Sequence, residues 1–378
     1  MKLLVLGSSN EIGPGSYVDH LGRLPDFEII NRSIGASSTS AGLYALLSDD
    51  TPDVRYALIN YEVNDEGVLQ TRIRTAEEVS LSVRTLLYLL RARGCTPVLT
   101  ILPSTPARDR PSWAETLHRT LCREEGVHVV GGADLFRAAW RTGGRWDEML
   151  RDPFHMGLAA TPIVAAAFAR AFRALDATSP TPREWTTTML PIRVVPAAVL
   201  VPPERRVFRA SSHRSAWHAV LRLGERLTVP VGPGERLLAM AINSGAPGAT
   251  VAFTSDGQRV VKRLAVSFSE KTRGEFISVV VDFKQAVPGG TSGILIEVLP
   301  ADAEETEPTL HQQPVANGRP GVIEIEGFVV AAGSPVAASC TGVARPRVPC
   351  ELSDVIDSEK VVARLATLGD ARLARRQV

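Results

Sequence analysis

The stretch Met1 to Ser9, MKLLVLGSS, decides how this chain is read. Leu3 to Leu6 form a continuous apolar run that ends in Gly7. A central parallel strand looks like this, because helices cover both of its faces. Ser8 and Ser9 follow at the carboxyl end of that strand. Ligands of open α/β sheets bind outside the carboxyl ends of the strands, so a serine there is placed to act as a nucleophile. Taken alone, Gly7-Ser8-Ser9 reads more readily as a turn or a helix cap. The segments after the next two strands, and those near residue 152, change that reading.

Working outward, residues 1 to about 175 alternate short apolar strands with amphipathic helices, the pattern of a parallel sheet. Strands are predicted at Lys2–Leu6, Phe27–Ile30, Tyr56–Asn60, Pro97–Leu102 and Val127–Val130. Thr75-Ala76-Glu77-Glu78 has the form of a capping box opening a long helix that Gly94 ends. Further helices are predicted from the Ser37–Ser40 cluster to Leu47, over about Trp113–Glu125, and from about Leu158 to Leu175. Asp176 to Glu184 then holds two prolines among Thr and Ser, which reads as a boundary. Beyond it the apolar runs are short, often alternating, and separated by Gly/Pro/Asn turns, as in an antiparallel β-sandwich or jelly roll. The division expected is 1–178 for the α/β unit, 179–190 for a linker, 191–335 for the β-sandwich and 336–378 for a partly helical tail.

The chain has 378 residues, 42 Lys and Arg against 41 Asp and Glu, and a formal net charge of +1. That balance points away from nucleic acid as a partner. No run reaches the eighteen or more apolar residues of a membrane span. The apolar start is too short for a signal-peptide core, so a cytoplasmic location is expected. Cys95, Cys122, Cys340 and Cys350 match no zinc spacing, and Cys340 and Cys350 are expected to stay reduced rather than pair.

Four segments of the first unit carry chemistry. Ser9 follows the first strand, Asn31 to Ala36 the second, and Asn64-Asp65 the third, while Asp152-Pro153-Phe154-His155 precedes the last helix. Sheet topology would bring them to one edge. Acyl transfer is the chemistry these types allow. A serine hydroxyl needs a base to take its proton, and His155 is the candidate. Asp152, three residues earlier, is placed to hold the imidazole tautomer. An oxyanion needs donors aimed at it. The Ser9 amide, an amide of the Gly35-Ala36 turn and the Asn64 side chain are the candidates.

In this order the segments resemble the blocks of the SGNH (GDSL-like) hydrolases, a family of esterases, lipases, deacetylases and some acyltransferases. Gly7-Ser8-Ser9 stands where that family has Gly-Asp-Ser, Asn31 to Ala36 where it has Asn and a glycine-bearing turn, Glu62-Val63-Asn64-Asp65 where it has Gly-x-Asn-Asp, and Asp152 with His155 where it has Asp-x-x-His. The resemblance covers residues 1 to about 175. It implies a three-layer, flavodoxin-like α/β/α sandwich, with Ser9, Asp152 and His155 as catalytic residues. It also implies an oxyanion hole from Ser9, Ala36 and Asn64, with Gly35 as the alternative to Ala36, and no metal or cofactor. The sequence departs from the family at Ser8, Ala36 and Val63, and the last two reshape the wall of the acyl pocket. The implied substrate is a small-molecule or carbohydrate acyl ester, with short chains expected. Acyl transfer to another acceptor, and a non-catalytic glycan-binding or scaffold protein, are the alternatives.

Other residues carry blander readings. Asp65 reads as a turn residue, Glu62 as solvated, and His20, His118 and His128 as structural. Arg108, Arg110 and Trp113 read as ordinary surface in a loop at the active edge. Trp140 and Trp146 either form a lid or pack the last helix. Trp217 and His218 read as core of the β-rich unit.

Overall fold

A computed structural model describes residues 1–48, 50, 53–178, 181–211, 213–266, 275–311, 321–344 and 358–368. The first unit is a five-stranded parallel sheet between helices. Its strands are β1 (Lys2–Leu6), β2 (Glu28–Asn31), β3 (Tyr56–Ile59), β4 (Thr96–Ile101) and β5 (His128–Gly131), in the order β2-β1-β3-β4-β5. The chain leaves β1 in one direction for β2 and then crosses back to β3. The reversal places a topological switch point between β1 and β3, where such sheets open their ligand crevice. Leu3 to Leu6 and all of β3 and β4 are buried, as the apolar runs required.

The helices of this unit are α1 (Tyr17–Gly22), α2 (Thr39–Ser48), α3 (Glu62–Gln70), α4 (Ala76–Ala92), α5 (Trp113–Glu125), α6 (Gly132–Arg141), α7 (Trp146–Met149) and α8 (Thr161–Asp176). Two core clusters fill the two faces of the sheet, one under α2 and α4 and the other under α1, α6 and α8. The Thr75 capping box is present, with the Glu78 amide donating to Thr75 Oγ1 at 3.2 Å and the Thr75 amide to Glu78 Oε2 at 2.8 Å. A short hairpin, β6 (Leu150–Asp152) and β7 (His155–Met156), lies just before α8.

The second unit is antiparallel. One sheet orders β10 (Arg206–Ala210), β11 (Ser215–Arg222), β18 (Val322–Ala332), β13 (Glu235–Asn243) and β16 (Ser278–Pro288), with β9 (Ile192–Pro196) also on β18. The other orders β12 (Arg226–Val229), β17 (Ile294–Leu299), β14 (Thr250–Ser255) and β15 (Gln258–Arg263). Their inner faces share one core containing Leu237, Phe253, Ile296 and Phe328, so the unit is a β-sandwich. Its larger sheet also packs on the first unit: Ala239, Ala241, Val280 and Val329 belong to the same core as α2 and α4.

The structure corrects two boundary expectations. Thr181–Met189, inside the expected linker, is strand β8 and pairs along its length with β19 (Val336–Ala344), inside the expected tail. The ribbon is anchored to the first unit. Arg91 lies over the Trp185 ring at 3.7 Å, Thr187 Oγ1 donates to Glu125 Oε1 at 2.9 Å, and the Leu190 amide donates to Thr85 Oγ1 at 2.9 Å. Prolines and threonines suggested a linker, but Trp185 and Thr186 to Thr188 are strand formers once a partner is present. The tail also contributes α9 (Ser358–Ala366), whose Val361 and Leu365 are buried in the core under α6 and α8. Cys340 is a free thiol on β19, and Cys350 lies outside the described residues.

Candidate active site

The turn after β1 is built around a buried carboxyl group. Ser9–Glu11 form a 3-10 turn, and the Glu11 side chain folds back beneath it. Glu11 Oε2 accepts from the Ser8 amide at 2.7 Å, and Oε1 accepts from the Tyr17 hydroxyl at 2.8 Å. A Cβ at position 7 would stand 2.6 Å from Glu11 Oε2, so the carboxyl fits only beside glycine. Burial raises the Glu11 pKa from 4.5 to about 8, against the hydrogen bonds from Tyr17 and Ser8 that favour the ionised form.

Ser9 meets the hairpin that carries His155. Ser9 Oγ lies 2.6 Å from His155 Nε2, across 146 residues of chain. His155 Nδ1 lies 2.8 Å from both oxygens of Asp152. An ionised carboxylate only accepts, so Nδ1 carries the proton and Nε2 is left to accept from the serine hydroxyl. Partial burial pushes the Asp152 pKa up, but the Phe154 amide and the His155 ring outweigh it and hold the carboxyl below its ordinary value. Asp152 Oδ1 also accepts from the Phe154 and His155 amides at 2.9 and 3.1 Å, which closes the Asp-x-x-His loop locally.

Asn10, next to the serine, ties the two segments together. Its Nδ2 donates to the Phe154 carbonyl at 2.9 Å, and its Oδ1 accepts from the Met156 amide at 3.1 Å. Sequence reasoning missed this clamp, and missed Glu11 as well. Their only signal was two polar residues directly after Ser9, where a buried turn has no solvent for them.

The other predicted residues gather at the same sheet edge. Asn31 lies at the end of β2, where its Nδ2 donates to the Glu11 carbonyl at 2.8 Å and its Oδ1 accepts from the Ser33 amide at 3.0 Å. Ala36 has φ +50°, the left-handed conformation that favours glycine. The next residue holds this turn to the β-sandwich: Ser37 Oγ donates to the Gly35 carbonyl at 2.8 Å and accepts from the Val280 amide of β16 at 2.9 Å. Asn64 sits in the first turn of α3. Ser9, Gly35, Ala36, Asn64 and His155 all line one cavity of about 580 Å³. Ser211, Phe276, Ile277 and Leu310 line it from the β-sandwich, so the second unit forms its far wall.

Several blander readings change. Glu62 is buried rather than solvated: its carboxyl accepts from the Leu102 amide and from Asn60 Nδ2, both at 2.8 Å. Burial, with the nearby Glu11 and Glu115 charges, holds its pKa well above the ordinary value despite the Leu102 bond. Asp65 bonds across the fold instead of within a turn. It accepts from the Thr39 amide at 2.9 Å and the Thr39 hydroxyl at 2.5 Å, and lies 2.9 Å from His118 Nε2. Trp146 is buried and packs edge-on against Trp140 and Phe136, so these tryptophans pack α6 instead of forming a lid. Trp217 is 56% exposed and meets Phe208, itself 50% exposed, with the rings tilted by 57°, while His218 is buried. The side-chain alternation of a strand sends the two neighbours to opposite faces.

Among the described residues no group of three or more His, Cys, Asp or Glu is placed to hold a metal ion. None of their helices is long and apolar enough to cross a membrane.

No protein-family model matches this sequence, and no curated protein matches it. Solved structures do. An acetyl xylan esterase, AlAXEase, is 15% identical, with 45% of this chain and 99% of that one covered and a TM-score of 0.39. An acetylxylan esterase from Geobacillus stearothermophilus is 17% identical over 45% of this chain and 92% of that one, with a TM-score of 0.38. The psychrotrophic esterase EstA from Pseudoalteromonas sp. is 18% identical over 46% and 97%, with a TM-score of 0.35. The sequence blocks of the N-terminal unit are those read above as resembling the SGNH (GDSL-like) hydrolases. The parallel sheet and its order are the fold that resemblance implied.

Proposed function

We propose that this chain is an SGNH-type serine esterase that cleaves carboxylic esters through an acyl-serine intermediate. The observation that carries the reading is the hydrogen-bonded series Ser9 Oγ, His155 Nε2, His155 Nδ1 and Asp152, opening into a cavity. His155 takes the Ser9 proton as Oγ attacks the ester carbonyl, then gives it to the departing alcohol. Asp152 keeps Nδ1 protonated and stabilises the imidazolium. The Ser9 amide, the Ala36 amide and the Asn64 side chain receive the developing oxyanion, with Gly35 as the alternative to Ala36. Water, activated by the same histidine, then releases the acid. The reading calls for no metal or cofactor.

A second reading uses the same acyl-enzyme with an alcohol or amine as acceptor. The far wall supplied by the β-sandwich supports it, because a covered site can admit an organic acceptor in preference to water. Product analysis with added acceptor alcohols separates the two.

The test is hydrolysis of aryl esters by the wild-type protein, Ser9→Ala and Ser8→Ala. Ser9→Ala is expected to lower kcat by about 10⁴-fold or more, and Ser8→Ala to keep turnover. Equal rates for Ser9→Ala and wild type would overturn the assignment and bring a non-catalytic binding role to the front.

A further inference from the structure

The second unit supplies an apolar patch of the cavity lining, Phe276, Ile277 and Leu310, beside polar residues that include Ser211 and His213. Phe276, Ile277 and Leu310 face the catalytic edge, where Ile12, Ile34 and Val63 supply apolar surface on the other side. The wall is held in place. The Phe276 ring meets His218 edge-on at 5.1 Å, the Ile277 amide donates to Asn243 Oδ1 at 3.0 Å, and Leu310 packs against the core that includes α3 residues. Two charged residues of the lining are already engaged. Arg214 Nε donates to Glu326 Oε1 at 2.9 Å, and Glu66 accepts from the Ala114 amide and from Gln70 Nε2, both at 2.8 Å. What the cavity offers a ligand is therefore mainly hydrocarbon contact.

Its volume, about 580 Å³, falls within the roughly 300–1,000 Å³ of pockets that enclose whole organic ligands. An acetyl group would leave most of this surface wet. We infer that the preferred substrate is an ester bearing a medium-length apolar chain, lodged between the Ile12–Ile34–Val63 side and the Phe276–Ile277–Leu310 wall, and that this wall sets the chain-length preference. The inference rests on the esterase reading of Ser9 and deepens it, moving the substrate away from the short chains expected from sequence. The chain belongs to either the acid or the alcohol, since both offer the same hydrocarbon surface.

Two ester series resolve the source. One varies the acid, from p-nitrophenyl acetate to octanoate, and the other varies the alcohol, from methyl to hexyl acetate. In one series kcat/KM should rise by about fourfold per methylene until the wall is covered, the factor that a buried methylene contributes. Phe276→Ala and Leu310→Ala should each lower the hexanoate-to-acetate or hexyl-to-methyl ratio by about tenfold. Phe276→Leu, which preserves an apolar packing group, should lower it less. A profile that is flat or highest at the shortest ester in both series overturns the inference. Titration of the Ser9→Ala protein with hexyl hexanoate and methyl acetate tests the wall without turnover, and equal affinities overturn it independently. Ser9-dependent hydrolysis with no chain-length rise would refute the apolar-chain assignment alone. Tight hexyl hexanoate binding with turnover unaffected by Ser9→Ala would refute the esterase reading alone.

Discussion

Asp282 of β16 joins the β-sandwich to the helix that follows the Ala36 turn, and its removal tests that joint. Asp282 Oδ2 accepts from Ser38 Oγ at 2.6 Å, and Oδ1 accepts from Ser40 Oγ at 2.5 Å and from Arg74 Nη1 at 2.9 Å. The Arg74 and Asp282 side chains are only 8% and 3% exposed. Removing one partner of a buried pair leaves the other charge desolvated, at a cost of about 3–5 kcal/mol. In Asp282→Ala, Arg74 keeps Ser40 and Ser82 hydroxyls and the Glu78 carbonyl, at 2.9, 3.0 and 3.0 Å, which sets the loss at the lower end. We expect about 3 kcal/mol, a fall in Tm of roughly 6–12 °C for a unit of this size. Asp282→Asn keeps the shape and one acceptor and should lose less. Replacing both partners, Arg74→Met with Asp282→Leu, should recover much of the loss, because no charge is left buried. Thermal and urea unfolding of these proteins, together with Arg74→Met and Asp282→Leu alone, gives the comparison. Val280, two residues away, holds Ser37 and hence the Gly35 carbonyl, so kcat should also fall in Asp282→Ala. Stability within about 1 kcal/mol of wild type, or a double variant as unstable as the sum of the singles, would refute this reasoning.

Two further perturbations address the serine turn. Asn10→Ala cuts both bonds between that turn and the His155 hairpin; kcat should fall by about 10–100-fold with a smaller change in KM, since a slightly misplaced base slows chemistry more than binding, and unchanged kcat would remove Asn10 from the positioning set. Glu11 has a folded pKa of about 8 against 4.5, so between those values the unfolded chain releases a proton that the folded one keeps. The stability from its neutral form is complete below about pH 4.5 and is lost as pH rises to about 8, a few kcal/mol in all. Tm measured from pH 5 to 9 should therefore fall more steeply for wild type than for Glu11→Gln, and parallel curves would show that Glu11 does not hold its proton.

Much of the α/β unit was legible because its signals are local. The apolar runs at Leu3–Leu6 and in β3 mark strands buried on both faces, and the Thr75 box needs only neighbours three residues apart. Asp152 and His155 were readable as a unit for the same reason, since one loop brings the Nδ1 proton to the carboxylate. Glu62, Asp65 and Trp217 were less legible. Their surroundings are supplied by Leu102, by Thr39 with His118, and by the strand register of β11, all remote in sequence or dependent on pairing. β8 failed as a prediction because half of a two-stranded ribbon has no stability of its own, and its partner β19 lies about 150 residues away.

The alternation of strands and helices, the change to antiparallel texture near residue 180, and the order in which Ser9, Asn64, Asp152 and His155 occur are all legible in the linear chain. Periodicity, caps and turn residues act within a few positions, so they survive in a linear reading. Folding alone brings Ser9 Oγ to His155, sets Asn10 between the two segments, and closes the cavity with Phe276, Ile277 and Leu310 from a second unit. Those contacts follow from chain closure over more than a hundred residues and from the packing of one sheet on two helices, and no local pattern encodes either.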